Sequence, residues 1–394
     1  MQYILFDDYS WHNLLPLTFT RPACELRVGI LTIKEKWDKY LNEKCSYLTQ
    51  DYLRTKFPVQ SGDDNLLING SVLPDPSLLE ALLKLEPGQA LGNKILILGA
   101  RATDIRDLAL PARFENYLKV PYENEYLKIA YPWNIFSTNG QAITDDFALL
   151  TKGKESAKLS DTNILIHPGN IFCEPGFQAE GITLNAKSGP IYLGKDSEIM
   201  EGTVIRGPFS LGDHSTIKLN AKIYGPTTIG PHCKAGGEIN NSVIQGYSNK
   251  GHDGFLGNSV LGEWCNIGAD TNNSNLKNNY AEVRIWNYRQ ESFIKTGLTF
   301  CGLIMGDHSK CGINTMFNTG TVVGVSANIF GTGFPRTFIP SFSWGGPQGF
   351  STYKTDKAFA VAEDVMARRE VNFDDTEKAI LETVFDMTAK YRNF

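Results

Sequence analysis

The first 150 residues alternate short apolar runs with amphipathic stretches. "QYILF", "NLLING" and "KILILGA" read as buried strands, and helical spacing covers Glu25 to Leu41 and Ser77 to Leu85. That alternation predicts a small α/β domain with a doubly wound sheet. Near residue 160 the period changes. Leu193, Ile199, Ile205, Leu211, Ile217, Ile223, Ile229 and Ala235 follow one another six residues apart. An α-helical period of about 3.6 or a strand period of about 2 does not generate six over this length, whereas a hexapeptide β-helix does. Gly194, Gly212 and Gly230 each follow an aliphatic residue at intervals of eighteen, so three hexads close one coil and glycine recurs at one corner. Met305, Cys311, Phe317, Val323 and Ile329 resume the spacing, again with Gly306, Gly312 and Gly324 following.

Between these blocks, residues 272–292 ("NNSNLKNNYAEVRIWNYRQES") are polar and aromatic and break the period, which predicts a loop ejected from one corner. After "PSFSWGGPQG" the pattern turns helical. Ala358, Val361, Ala362 and Val365 make one stripe, and Ile380, Leu381, Val384, Phe385 and Thr388 make another behind the candidate caps Asp374 and Asp375. The expected layout is an α/β domain over 1–150, a β-helix over 160–345 and C-terminal helices over 350–394.

Composition narrows the function. With 42% hydrophobic and 21% charged residues the chain buries a real core, and a net charge of -5 without a basic run excludes a broad nucleic-acid footprint. A small polar or phosphorylated substrate is expected instead. The seven cysteines form no CxxC pair, which argues against a zinc ribbon or a disulfide framework and fits a reducing cytoplasm. No apolar run reaches membrane-spanning length, and the N-terminus shows no basic-then-apolar leader, so a cytoplasmic protein is expected.

Histidine draws attention first. His252 lies between Gly251 and Gly254 in a polar stretch that departs from the hexad register, leaving room for a substrate. An imidazole with a pKa of about 6.5 can take a proton from an attacking amine at neutral pH, and backbone amides at β-helix corners can stabilise the resulting oxyanion. His214, His232 and His308 each follow a corner glycine by two residues. Histidines on prisms of the γ-carbonic-anhydrase type bind zinc, but here their common position reads as turn chemistry.

The stretch "NNSVIQGYSNKGHDGFLGNSVLGEWCNIGADTNNSN" resembles, without a gap, the acetyltransferase site of the bifunctional bacterial enzymes that make UDP-N-acetylglucosamine. That family joins a glucosamine-1-phosphate N-acetyltransferase to an N-acetylglucosamine-1-phosphate uridylyltransferase. The resemblance implies a shortened, Rossmann-like nucleotidyltransferase domain followed by a left-handed parallel β-helix of hexapeptide repeats. It places the general base on His252 and acceptor-orienting amides on Asn266 and Asn275. The family's sugar-contacting tyrosine is Phe255 here, its phosphate-binding arginine is Lys222, and a lysine is Asn240. Acetyl-CoA is implied as the donor, in a groove between prisms of a homotrimer, with Thr296 and Asn314 on later coils as polar contacts.

The N-terminal half resembles its family less closely. "LPLTFTRP" matches, but "DDYSWHN" stands where a glycine-rich turn would wrap the triphosphate, and bulky side chains prevent that close approach. Arg21 and Arg27 remain as candidate phosphate ligands, with Asn69 and Gly70 as further nucleotide-contacting positions. The aspartate that would hold magnesium after Gly70 is Ser71, leaving Asp7, Asp8 or Asp75 as substitutes only in a rearranged site. Three readings stay open: acetyl transfer with uridylyl transfer from UTP, nucleotidyl transfer alone, and a non-catalytic sugar-nucleotide-binding trimer.

Overall fold

The computed structural model describes residues 1–93, 95–105 and 114–394. The N-terminal sheet contains β1 (Gln2–Phe6), β2 (Ser46–Leu48), β3 (Asn65–Asn69), β4 (Gln89–Gly92), β5 (Ile97–Ala102) and β6 (Leu118–Val120), in the order β2-β1-β3-β5-β4-β6. β1 runs parallel to β2 and β3, while β5 is antiparallel to β3 and β4, so the sheet is mixed. The apolar runs become β1, β3 and β5; Lys94, which heads the third run, lies outside the described residues.

α1 (Ser10–Asn13) and α2 (Ile33–Leu41) follow β1, and α3 (Pro76–Leu83) follows β3. α2 starts eight residues later than its spacing suggested, because Thr32 and Glu35 form a capping box there: the Thr32 side chain accepts from Glu35 N at 3.1 Å and Glu35 accepts from Thr32 N at 2.7 Å. α4 (Pro132–Thr151) was not foreseen. Its "FSTNG" interior is poor in strong helix formers, and packing holds it instead. Gly140 allows the close approach, since a Cβ there would come within 2.9 Å of Pro226 in the next domain.

The prism is a parallel β-solenoid with three faces of six, nine and ten strands, the last ending in an antiparallel hairpin. All eight residues of the first hexad series are at most 1% exposed and point inward. The period breaks after Ala235 because two corners shorten: the next inward positions are Ile239, Ile244 and Lys250. The ejected segment is closed by a Leu276–Phe300 bridge, so it runs further than 292. It contains the antiparallel hairpin Arg284–Asn287/Ser292–Lys295.

One face of the prism is covered. Its outward row Val243, Val260, Ile304 and Val322 is buried, and it shares a hydrophobic core with Leu14, Phe19 and Phe136 of the α/β domain. α5 (Thr355–Ala367) and α6 (Asp375–Met387) close the seam. The stripe on α5 is Ala358, Phe359, Ala362 and Met366, which replaces Val361 and Val365, whereas Ile380, Leu381 and Val384 on α6 and Thr388 at its C-cap are buried and Phe385 is half-buried. No helix among the described residues is long and apolar enough to cross a membrane.

Candidate functional site

A glycine corner, Gly251–Gly254, carries His252 from the ten-stranded face to the six-stranded face. The corner lies on a bed of glycine. A Cβ on Gly237, which has φ +71°, would come within 2.7 Å of the His252 carbonyl oxygen. From above, Asp270 N donates to Asp253 O at 3.1 Å. The His252 side chain is exposed.

The six-stranded face presents two outward rows beside this corner. Lys222, Glu238 and Phe255 are in register in one, and Tyr224, Asn240 and Gly257 in the other. Tyr224 Oη donates to Glu238 at 2.6 Å, and this bond to a carboxylate pushes the phenol up to about 12. Phe255 and Asn275 meet over Gly257, where any Cβ would strike both the ring and the Asn275 amide. Asn275 in turn donates to Asn258 Oδ1 at 2.8 Å. Phe255, Asn240 and Asn275 are thus neighbours, while Lys222 stands two coils from Phe255 with Glu238 between them.

Asn266 lies on the ten-stranded face, in register with Asn249 and Lys310, and is exposed one coil above the corner. Asn314 caps the same column of corners, its N–H donating to Ala269 O at 2.8 Å. Thr296 does not belong to a coil. It follows the hairpin, is buried, and its hydroxyl donates to Val283 O at 2.9 Å. Sequence reasoning missed Glu238, Tyr224 and Asn258, because the shortened corners hid which residues share a face.

In the α/β domain the residues assigned to a nucleotide have other partners. Arg21 is buried in an ion pair with Asp307 and Glu263 of the prism, and Thr20 adds a 2.6 Å bond to Asp307. Arg27 donates from its backbone to Gln245 Oε1 at 2.6 Å and from Nε to Gln245 O at 3.3 Å. Both arginines tie the α/β domain to the prism. Asn69 is fully buried, with its amide shared between Asp8, Ile97 O and Ser71. Gly70 is closely packed, since a Cβ there would lie 3.2 Å from Cys24 Cβ and Phe6 O.

The segment that stands where a glycine-rich turn was expected forms α1, with Trp11 buried and its indole N–H donating to Arg21 O at 3.2 Å. Magnesium fits poorly here. Asp7 is 2% exposed, with both oxygens occupied by Ala23 N and Thr49 Oγ1, and Asp75 caps α3. Asp8 accepts from Lys128 Nζ at 2.7 Å. Burial pushes the Asp8 carboxyl up, but Lys128, Asn69 and Ser10 N–H outweigh it and hold Asp8 below the usual carboxylate range. Among the described residues no group of three or more metal-ligating side chains converges.

The corner histidines form a ladder instead of a ligand set. His214, His232, Tyr247, Trp264 and His308 stack in sequence, with centroid spacings of 5.0, 4.7, 4.3 and 6.2 Å. All five occupy left-handed backbone conformations. Tyr247 and Trp264 separate His308 from the other two imidazoles.

Comparison with known proteins adds similarities over parts of the chain. Residues 3–155 match the family described as sugar nucleotidyl transferase. A bifunctional sugar-1-phosphate nucleotidylyltransferase/acetyltransferase of Sulfurisphaera tokodaii is 30% identical over 213 residues, covering 54% of this chain and 46% of that protein. The bifunctional protein GlmU of Methanocaldococcus jannaschii is 36% identical over 89 residues, covering 22% of this chain and 21% of its own length. Each match spans less than half of the relative. A solved Arabidopsis UDP-N-acetylglucosamine acyltransferase superposes with a TM-score of 0.25 at 14% identity, over 60% of this chain and 94% of that one.

Proposed function

We propose that the prism joined to residues 3–155, the stretch that matches the family described as sugar nucleotidyl transferase, is an acetyl-CoA-dependent N-acetyltransferase acting on an amino-sugar phosphate, glucosamine 1-phosphate. The carrying observation is His252: an exposed imidazole on a corner clamped between two coils, at the edge of the face that carries Lys222, Glu238 and Phe255. His252 accepts a proton from the acceptor amine as that nitrogen attacks the thioester carbonyl. A C–N bond forms, the C–S bond breaks, and coenzyme A leaves as the thiol carrying a proton. Asn266 and Asn275 orient the acceptor, and Lys222 faces its phosphate. Asn314, on the same corner column, contacts the donor. Exposure of the corner in one chain suits a groove completed by a second copy, and we assign the protein a homotrimeric, cytoplasmic state.

A second reading adds uridylyl transfer from UTP in the N-terminal domain. It is favoured by the family match and by Asp8, Asn69, Ser71 and Lys128, which meet beyond the C-terminal ends of β1 and β3, where open α/β sheets bind ligands. Two product assays separate the readings. Acetyl-CoA with glucosamine 1-phosphate should release thiol in the wild type but not in His252→Ala. Pyrophosphate release from UTP with N-acetylglucosamine 1-phosphate would establish the second activity, and its absence would leave the domain a binding or assembly module.

A further inference from the structure

Two inward positions of the prism are polar, and both grip the backbone around His252. Lys250 occupies the rung between Ala235 and Ile267 and is 1% exposed. Its Nζ donates to Gly236 O at 3.0 Å and to His252 O at 2.6 Å. Asn273, the rung beneath Phe317, accepts from Gly257 N at 2.9 Å and donates to Gly257 O at 3.1 Å. The segment from His252 to Gly257 is therefore held at both ends from inside the core.

A lysine here is unfavourable for stability alone. Its ammonium has two carbonyl partners and no carboxylate hydrogen bond, so the desolvation of the charge is not offset by a direct ion pair. Burial pulls the ammonium down to about 8 against the pull of Asp253, Cys311 and Asp270, so it is still protonated at neutral pH. The small residue Ala235 is its register partner in the coil below. A carbonyl held at 2.6 Å fixes the peptide plane that follows His252, and through it the direction in which the imidazole leaves the corner.

We propose that Lys250 is a positioning residue: from inside the prism it fixes the Gly251–Gly254 corner and so aims His252 at the acceptor amine. This rests on the assignment of His252 as the base. The test is Lys250→Met in the full chain, with Lys250→Leu as a second variant of different packing, each measured by amide hydrogen exchange and by steady-state acetyl transfer. We expect a chain that still folds, with a melting temperature close to the wild type's, faster exchange confined to residues 250–257, and kcat lowered on the order of a hundredfold, as for a misplacement of about 1 Å, with the KM for acetyl-CoA unchanged. Wild-type kcat in the variants overturns the proposal, whatever the exchange shows. So does exchange like the wild type's. If the wild type itself transfers no acetyl group, the base assignment fails separately, and exchange alone decides whether Lys250 holds the corner.

Discussion

Asp7 ends β1 with both carboxylate oxygens bonded inside the α/β core, to Ala23 N at 2.9 Å and to Thr49 Oγ1 at 2.6 Å. Desolvation dominates those bonds and pushes its carboxyl from 3.8 up to about 7. The folded state therefore binds this proton more tightly than the unfolded chain. Its stabilising contribution is complete below the unfolded value of 3.8 and is lost as pH rises through about 7. Asp7→Asn should flatten the dependence of melting temperature on pH between 4 and 7, the window set by those two values, and raise stability above it. Thermal scans across that range check this; an unchanged slope would mean that Asp7 is ionised in the fold.

Arg21 calls for a different test, because its sequence context suggested a phosphate and its partners are the carboxylates of another domain. Arg21→Met would leave Asp307, which is 3% exposed, without its cation, for a predicted loss of about 3–5 kcal/mol in urea unfolding. Nucleotide affinity, where measurable, should not change. The reverse pattern, weaker UTP binding at unaltered stability, would restore the phosphate assignment.

At the scale of elements, the hexad spacing revealed the prism because an inward aliphatic every six residues is a constraint on the chain itself. The same reasoning failed where two corners shortened after Ala235, and the acceptor-side rows were hidden there. α4 was hidden for a complementary reason: tertiary contact, not propensity, stabilises it. Gly140→Ala should cost about 1–3 kcal/mol through overpacking against Pro226, although alanine is the better helix former. A stabilised variant would show that the helix stands off from the prism. His252 was legible as a candidate because glycines and a broken period surround it. The commitments of Arg21 and Arg27 were not, since their partners in the prism lie more than 200 residues away in the chain.

Across the whole molecule, the ejected hairpin and the C-terminal helices bind the halves together. Tyr288 packs edge-on against Phe19 at 5.2 Å, and the Arg289 guanidinium lies 4.6 Å from the centre of the Tyr9 ring. Lys56 pairs with Glu377 on α6, and Phe385 meets Phe342 at 5.1 Å. Because one hydrophobic core includes residues of the sheet, the prism, the hairpin and both helices, calorimetry should show a single unfolding transition. Two resolved transitions would contradict that shared core. The central claim is that acetyl transfer takes place at the His252 corner. Its most direct test is thiol release from acetyl-CoA with glucosamine 1-phosphate, in the wild type and in His252→Ala of equal melting temperature. The account predicts turnover in the first and none above background in the second; equal rates in the two proteins would contradict it.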